Sequence, residues 1–251
     1  MNARSRCLAV SVMLAVGSTG LGLEVARANI NLELRPVYQV GCVGYTVGVG
    51  LYAVSDDPSA SQTLSAMDVI IAWDPNYIQL LGNVDPGEPV WFVSTFIIPD
   101  AYGLNENNPP QDGDGIYTAL AQPGEVVDAT PEGTLITTFQ FDVLAESDGV
   151  PVEILATAGD PEGHTRVFSG DGPNIEVTGT LSGAVVAGFL VVCPGDFNED
   201  GTISLADLAI LLAHYGTDVG ASPLEGDMDC DGDVDLADLA QLLALYNTDC
   251  P

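Results

Sequence analysis

Two stretches of this chain place oxygen-bearing side chains at the alternating spacing that a hard divalent cation requires. The first reads GDFNEDGTISLADLAILLAHYG over residues 195–216, and the second reads GDMDCDGDVDLADLAQLLALYN over 226–247. Counted from the first aspartate, positions 1, 3, 5 and 12 are Asp196, Asn198, Asp200 and Asp207 in one copy. In the other they are Asp227, Asp229, Asp231 and Asp238. Calcium takes six to eight oxygens, and alternate residues of a tight loop turn theirs inward. Glycine at position 6 (Gly201, Gly232) permits the sharp turn, and position 7 (Thr202, Asp233) offers its carbonyl. Position 9 (Ser204, Asp235) acts through a water. The spacing therefore predicts two Ca2+ ions, one per copy. Because the whole pattern recurs, chance spacing in an acidic turn is a poor explanation.

Each loop runs into a short amphipathic helix. Leu208, Leu211, Leu212 and Tyr215 have i, i+3, i+4, i+7 spacing, as do Leu239, Leu242, Leu243 and Tyr246. Most of these side chains are expected to pack against each other. Two departures from an ordinary EF-hand stand out: position 12 is aspartate rather than glutamate, and no helix leads into either loop, since CPG and SPLEG precede them. A loop followed by one helix, duplicated, resembles the dockerin domain, over residues 194–251. The resemblance implies a small all-α, EF-hand-like fold, two calcium ions and a cohesin-type protein partner. It also implies that loop positions 10 and 11, Leu205-Ala206 and Leu236-Ala237, help to recognise that partner. Their near identity suggests that either face could dock, related by a pseudo-twofold rotation.

The chain carries 36 acidic residues against five arginines and no lysine, a net charge of −31. Residues 1–28 read as a secretory signal: Arg4 and Arg6, an apolar run from Cys7 to Val16, and an Ala26-Arg27-Ala28 cleavage site. Its removal takes away three arginines and one glutamate, leaving the remainder more negative still. Such a surface repels phosphate backbones, which excludes nucleic acid, and it disfavours anionic membranes. Gly183 to Val192 is apolar but too short to span a bilayer, which takes about 20 residues, and is expected to be a buried strand. A soluble, extracellular protein is expected, with any attachment to a cell made non-covalently through a partner. Cys42, Cys193, Cys230 and Cys250 allow three pairings. If the two loops lie at opposite ends of an antiparallel helix pair, the last helix returns Cys250 toward Cys193. Cys230 then sits at the far end, roughly one 16 Å helix away. A Cys193–Cys250 disulfide is preferred, and it restricts the unfolded chain by about 4 kcal/mol. Cys42 and Cys230 are left as free thiols or as an interdomain pair.

Residues 29–192 have a different texture, with β-branched and aromatic runs broken by Gly, Pro, Asp and Asn. Three period-two faces stand out: Met67, Val69, Ile71 and Trp73; Leu135, Thr137, Phe139, Phe141 and Val143; Val43, Tyr45, Val47, Val49 and Leu51. Such alternation, recurring at intervals, predicts half-buried strands stacked as an all-β sandwich. The strings LSAMDVIIAWDPNYIQLLGNVDPGE and EGTLITTFQFDVLAESDGVPVEILA resemble the cohesin and related carbohydrate-binding sandwiches. The resemblance implies a nine-stranded jelly roll. The expected division is 1–28 signal, 29–192 cohesin-like sandwich, and 193–251 dockerin.

No arrangement of residues points to catalysis. Paired carboxylates could hydrolyse glycosides, but with this many acids no pair is distinguished. His164 lies in the polar stretch DPEGHTR, and His214 falls on the first helix where copy two has Leu245. The DGDG at Asp112–Gly115 reads as an acidic turn rather than a third metal site. Trp73 shares an apolar face and belongs to the core, whereas Trp91 is the better candidate for an exposed aromatic. The expected function is a non-catalytic adaptor that docks to cohesin-type partners in complexes serving polysaccharide breakdown. The alternative is a secreted protein whose sandwich binds or hydrolyses polysaccharide directly.

Overall fold

A computed structural model describes residues 29–250 apart from Pro173, Leu190 and Val192. The expected export signal lies outside the described residues. Among the described residues, fifteen strands come first: β1 (Ile30–Arg35), β2 (Tyr38–Cys42), β3 (Thr46–Ser55), β4 (Gln62–Ala72) and β5 (Ile78–Val84). Then follow β6 (Trp91–Phe96), β7 (Asp114–Ala121), β8 (Val127–Ala129), β9 (Thr134–Val143) and β10 (Ser147–Leu155). The last five are β11 (Thr157–Ala158), β12 (Gly163–His164), β13 (Arg166–Ser169), β14 (Thr178–Ser182) and β15 (Ala184–Phe189). Two helices, α1 (Leu205–His214) and α2 (Leu236–Leu245), follow, with a 3-10 turn at Pro223–Glu225 between them.

The strands form a sandwich. One sheet has the order β14-β1-β3-β9-β5, and the other β2-β15-β10-β4-β7-β6, with β8 and β13 also paired to β4. Pairing is antiparallel except for β1 with β14 and β2 with β15. The nine-stranded expectation undercounts: the two main paths hold five and six strands, β8 and β13 add short pairings along the long β4, and β11 and β12 make a separate two-stranded ribbon. Val47, Val49 and Leu51 of β3 meet Met67, Val69 and Ile71 of β4 between the sheets. Each such side chain contributes about 1.5–3 kcal/mol by leaving water. Phe96, Tyr117 and Phe139 interlock with ring centroids 5.4–5.9 Å apart. Trp73 joins this core edge-on to Phe141.

Three expectations are corrected. The face assigned to β9 does not alternate strictly, since the register shifts opposite Leu51/Tyr52. Ile136 is the extra residue of that bulge, so it and Thr137 are both buried while Leu135 is half-buried. A bulge moves one residue across the sheet without any change in composition to announce it. Tyr45 belongs to the turn before β3 and is 47 % exposed. Trp91 is half-buried, donates its ring N–H to the Ile136 carbonyl at 3.2 Å and packs on the core. The exposed aromatic of β6 is its neighbour Phe92.

The outer face of β4 is also covered. Ile70 is buried against Leu104 and Ile116. Asp100 accepts the N–H groups of Tyr102, Leu104 and Asn105, which folds the 100–105 segment. Asn105 then binds the β7 backbone, accepting from Ile116 N and donating to Ile116 O, both at 2.8 Å. Two disulfides tie the chain: Cys193–Cys250 within the helical part and Cys42–Cys230 between it and the sandwich.

The bulge makes a testable distinction. Ile136→Ala should destabilise the protein by about 2–5 kcal/mol, as for other buried aliphatic truncations. Leu135→Ala should cost less than about half as much, because its side chain is already partly in water. Denaturant midpoints of the two variants would show it; equal losses would mean the alternation is unbroken.

Candidate metal centres

The helical part is built as two matching halves. Ile203, loop position 8 of the first copy, exchanges backbone hydrogen bonds with the segment after α2: its N–H donates to Thr248 O at 2.9 Å and its carbonyl accepts from Asn247 N at 2.7 Å. Val234, the equivalent of Ile203, does the same with the segment after α1, through Gly216 and Thr217. The two loops therefore sit at opposite ends of the helix pair. Phe197, Ile203, Leu211, Met228, Val234 and Leu242 fill the small core between them.

Each loop is shaped by its first and last carboxylates. Asp196 accepts from Asp200 N and Gly201 N at 3.0 and 2.9 Å, and Asp227 accepts from Asp231 N and Gly232 N at 3.1 and 3.0 Å. Gly201 and Gly232 have φ of +87° and +92°, a region that side chains rarely adopt. Position 12 closes the loop from the helix side. Asp207 accepts from Phe197 N (2.9 Å) with one oxygen and from Ser204 N (2.8 Å) with the other. Asp238 does the same with Met228 N and Asp235 N, both at 2.7 Å. Position 9 caps the helix: Ser204 accepts from Ala206 N, and Asp235 from Ala237 N. The result is a capping box at each helix N-terminus, whose partial positive charge favours carboxylates.

The loops differ in how well they satisfy their own oxygens. In loop 1, Asn198 Nδ2 and Thr202 Oγ1 both donate to Asp200, at 2.9 and 2.7 Å, and these bonds hold its carboxyl below the usual range. Loop 2 has aspartate at all six ligand positions and no such donors among them. Asp227, Asp229 and Asp231 bring carboxylate oxygens within 4.8 Å of one another, as do Asp233, Asp235 and Asp238. Asp229 Oδ1 and Asp233 Oδ1 are buried without a hydrogen-bond partner. Burial pushes the Asp227 carboxyl up to about 7, with Asp238 and Asp231 adding repulsion. Asp229 and Asp233 are raised for the same reasons. Unpaired buried oxygens facing like charges are what a hard divalent cation neutralises, so this donor set fits calcium.

The other expected residues fall as follows. Leu205 and Leu236 are 68 % and 65 % exposed, and Ala206 and Ala237 are exposed beside them. The helix stripes pack less than expected. Leu211 and Leu242 are fully buried and Leu208 and Leu239 half so, but Leu212, Tyr215, Leu243 and Tyr246 face outward. Two ten-residue helices bury one seam each, and the i+7 spacing from Leu205 to Leu212 and from Leu236 to Leu243 marks the outward stripe. His214 lies 3.0 Å from the Ile210 carbonyl and 3.7 Å from Glu225 on the surface, and His164 lies 3.9 Å from Glu162. Gly113 makes a tight turn into β7, where a Cβ would meet Trp73 O at 2.9 Å. Among the described residues, the Asp112–Gly115 stretch joins no cluster able to hold an ion.

Residues 194–244 match the family model of the dockerin type I domain. No curated protein matches the chain. Among solved structures, a chain of a type I cohesin–dockerin complex from Clostridium thermocellum is 13 % identical, with a TM-score of 0.44 over 64 % of this chain and 99 % of that one. The seventh ScaB type I cohesin from Pseudobacteroides cellulosolvens is 14 % identical, with a TM-score of 0.43 over 65 % and 94 %. A cohesin module from a family 33 glycoside hydrolase of Clostridium perfringens is 11 % identical, with a TM-score of 0.41 over 66 % and 100 %.

Two outcomes are expected for the full chain. Asp238→Ala should weaken calcium binding at loop 2 by at least about tenfold, since it removes a ligand and the N3 half of the capping box together. Asp218→Ala, outside both loops, should change calorimetric affinity less than about twofold; equal effects would refute the ligand assignment. Proton and cation also compete for Asp227. Calcium affinity at loop 2 should fall up to about tenfold per pH unit below 7. Without calcium the sign reverses, because the folded carboxyl holds its proton more tightly than the unfolded one. That stabilisation is complete below about pH 4 and is lost as pH rises through 7. Thermal melts with and without chelator, run from pH 5 to 8, should show the two opposite slopes.

Proposed function

We propose that this chain is an exported, non-catalytic assembly protein that docks through its duplicated calcium loops to a cohesin-type partner. The division is a signal at 1–28, a β-sandwich at 29–192 and a calcium-dependent docking domain at 193–251. The setting is an extracellular complex concerned with polysaccharide breakdown, held to any cell surface through the partner. The observation that carries this reading is the pair of matching loop–helix units, each presenting an exposed Leu-Ala pair at the start of its helix. Calcium enters as the group that fixes both helix N-termini, at Asp196, Asn198, Asp200, Thr202, Ser204 and Asp207, and at Asp227, Asp229, Asp231, Asp233, Asp235 and Asp238. The net charge of −31 is consistent with a secreted protein that avoids nucleic acid. Among the described residues, no helix is long and apolar enough to cross a membrane. The sugar-handling alternative draws no support from Trp91, whose ring is packed on the core.

The test uses type I cohesin modules as probes, with calcium or with chelator. Leu205→Asp with Ala206→Asp should leave most of the affinity, as should Leu236→Asp with Ala237→Asp, because the faces are equivalent and one is used at a time. All four replacements together should reduce binding at least about 100-fold, the scale expected when a hot spot is lost. If either double variant abolishes binding, the faces are not equivalent. Binding that persists in the quadruple variant, or in chelator, would overturn the docking assignment.

A further inference from the structure

The backbones of the two calcium loops match, but they are anchored differently. Position 4 is in the left-handed region in both, at φ +56° for Glu199 and +58° for Cys230. Glu199 is exposed and makes no covalent attachment, whereas Cys230 is 5 % exposed and bonded to Cys42. Cys42 closes β2, pairs with Phe189 of β15 and is 1 % exposed, so it belongs to the rigid sheet. The bond joins residues 188 apart in sequence. Cys230 lies directly between Asp229 and Asp231, two of the three carboxylates gathered at the mouth of loop 2.

This placement matters because loop 2 is the more crowded with carboxylates. Its six aspartates gather as two trios of carboxylates, Asp227, Asp229 and Asp231 and then Asp233, Asp235 and Asp238, and Asp229 Oδ1 and Asp233 Oδ1 have no partner. Without a cation, repulsion would open such a loop, and calcium would first have to gather it again. A covalent anchor at position 4 limits that opening, so less ordering is needed when the ion binds. Loop 1 does not need it, since Asn198 and Thr202 already bond Asp200.

We infer that the Cys42–Cys230 disulfide presets loop 2 for calcium, so that oxidation of this pair and ion binding strengthen each other. The inference rests on loop 2 holding calcium, as proposed above. Forming the bond takes two protons and two electrons from the two thiols. A low-molecular-weight disulfide accepts them and leaves as two thiols. Because linkage is reciprocal, calcium must protect the disulfide from reduction by the same factor that the disulfide raises calcium affinity.

The full chain allows both directions to be measured. Gly201 and Gly232 donate to Asp196 and Asp227 at 2.9 and 3.0 Å, so their amide resonances report the two loops separately. In a calcium titration, the Cys42→Ser/Cys230→Ser variant should need about tenfold more calcium for the Gly232 midpoint, within the usual range of coupling between sites. The Gly201 midpoint should move less than about twofold. Equal Gly232 midpoints would overturn the inference while leaving the calcium assignment intact. No Gly232 response in the parent would overturn the calcium assignment itself. The parent alone gives a second measurement should the variant fail to fold. In a glutathione redox buffer, the ratio of reduced to oxidised Cys230, mapped by alkylation, should be about tenfold higher in chelator than in calcium. An unchanged ratio would refute the linkage.

Discussion

Asp207 and Asp238 have no exposed surface, yet each is a carboxylate at the point where a loop becomes a helix. An isolated buried charge is costly, so these positions persist only because several donors converge on them. Each accepts N–H groups from the start of its own loop and from the residue before its helix. Each also lies where the helix macrodipole favours negative charge. The short side chain is what allows this. Aspartate at helix position N3 reaches back to the cap residue while its other oxygen meets the loop's second residue. That accounts for the departure from the glutamate of ordinary EF-hands, and it makes one side chain both loop closure and helix start. Everything outward of it, including the exposed Leu-Ala pair that precedes it, takes its position from this contact.

The sandwich supplies what so small a helical part lacks. Two ten-residue helices with one fully buried leucine each leave little apolar area out of water, and small domains of this kind depend on cross-links or metals. Here two cross-links are in place. Cys193 and Cys250 close the helical part on itself, with Cys250 N donating to Gly201 O inside loop 1. Cys42 and Cys230 fix the other loop to a β-sheet core several times larger. Each acidic loop is therefore next to one disulfide.

What could be read from the residues followed from how local the constraint was. Turn geometry is set within twelve positions, so the shape of both loops was legible, along with the glycines that turn them. Strand alternation was legible wherever the pleat runs unbroken, as in Met67, Val69 and Ile71. It failed at Ile136, because a bulge is decided by the partner strand. The helix stripes misled for a related reason: i, i+3, i+4 spacing shows that a face exists but not that a neighbour is wide enough to cover it. Trp91 showed the same limit, since its half-burial depends on the Ile136 carbonyl across the sandwich. The pairing of Cys42 could not be read from the sequence, because residues far apart in the chain meet only through tertiary structure. The Cys193–Cys250 pairing could, because antiparallel helices of equal length return the chain to its starting end.

The duplication is symmetric at the start of the two helices and asymmetric in the loops that precede them. Leu205-Ala206-Asp207-Leu208-Ala209 and Leu236-Ala237-Asp238-Leu239-Ala240 are the same five residue types, with nearly equal exposure of the leading leucine. The loops beneath them have diverged. One mixes aspartate with Asn198, Thr202 and Ser204 and pairs these groups internally; the other uses aspartate throughout and leaves oxygens unpaired. Carboxylate count raises the attraction for a cation, and the repulsion in its absence rises with it. A loop of that kind is stable only if something else holds it closed, and the Cys42–Cys230 cross-link between sandwich and helices falls within it. Identical faces thus stand on unequal foundations. The less charged loop keeps its shape through its own hydrogen bonds, and the more charged one through the sandwich.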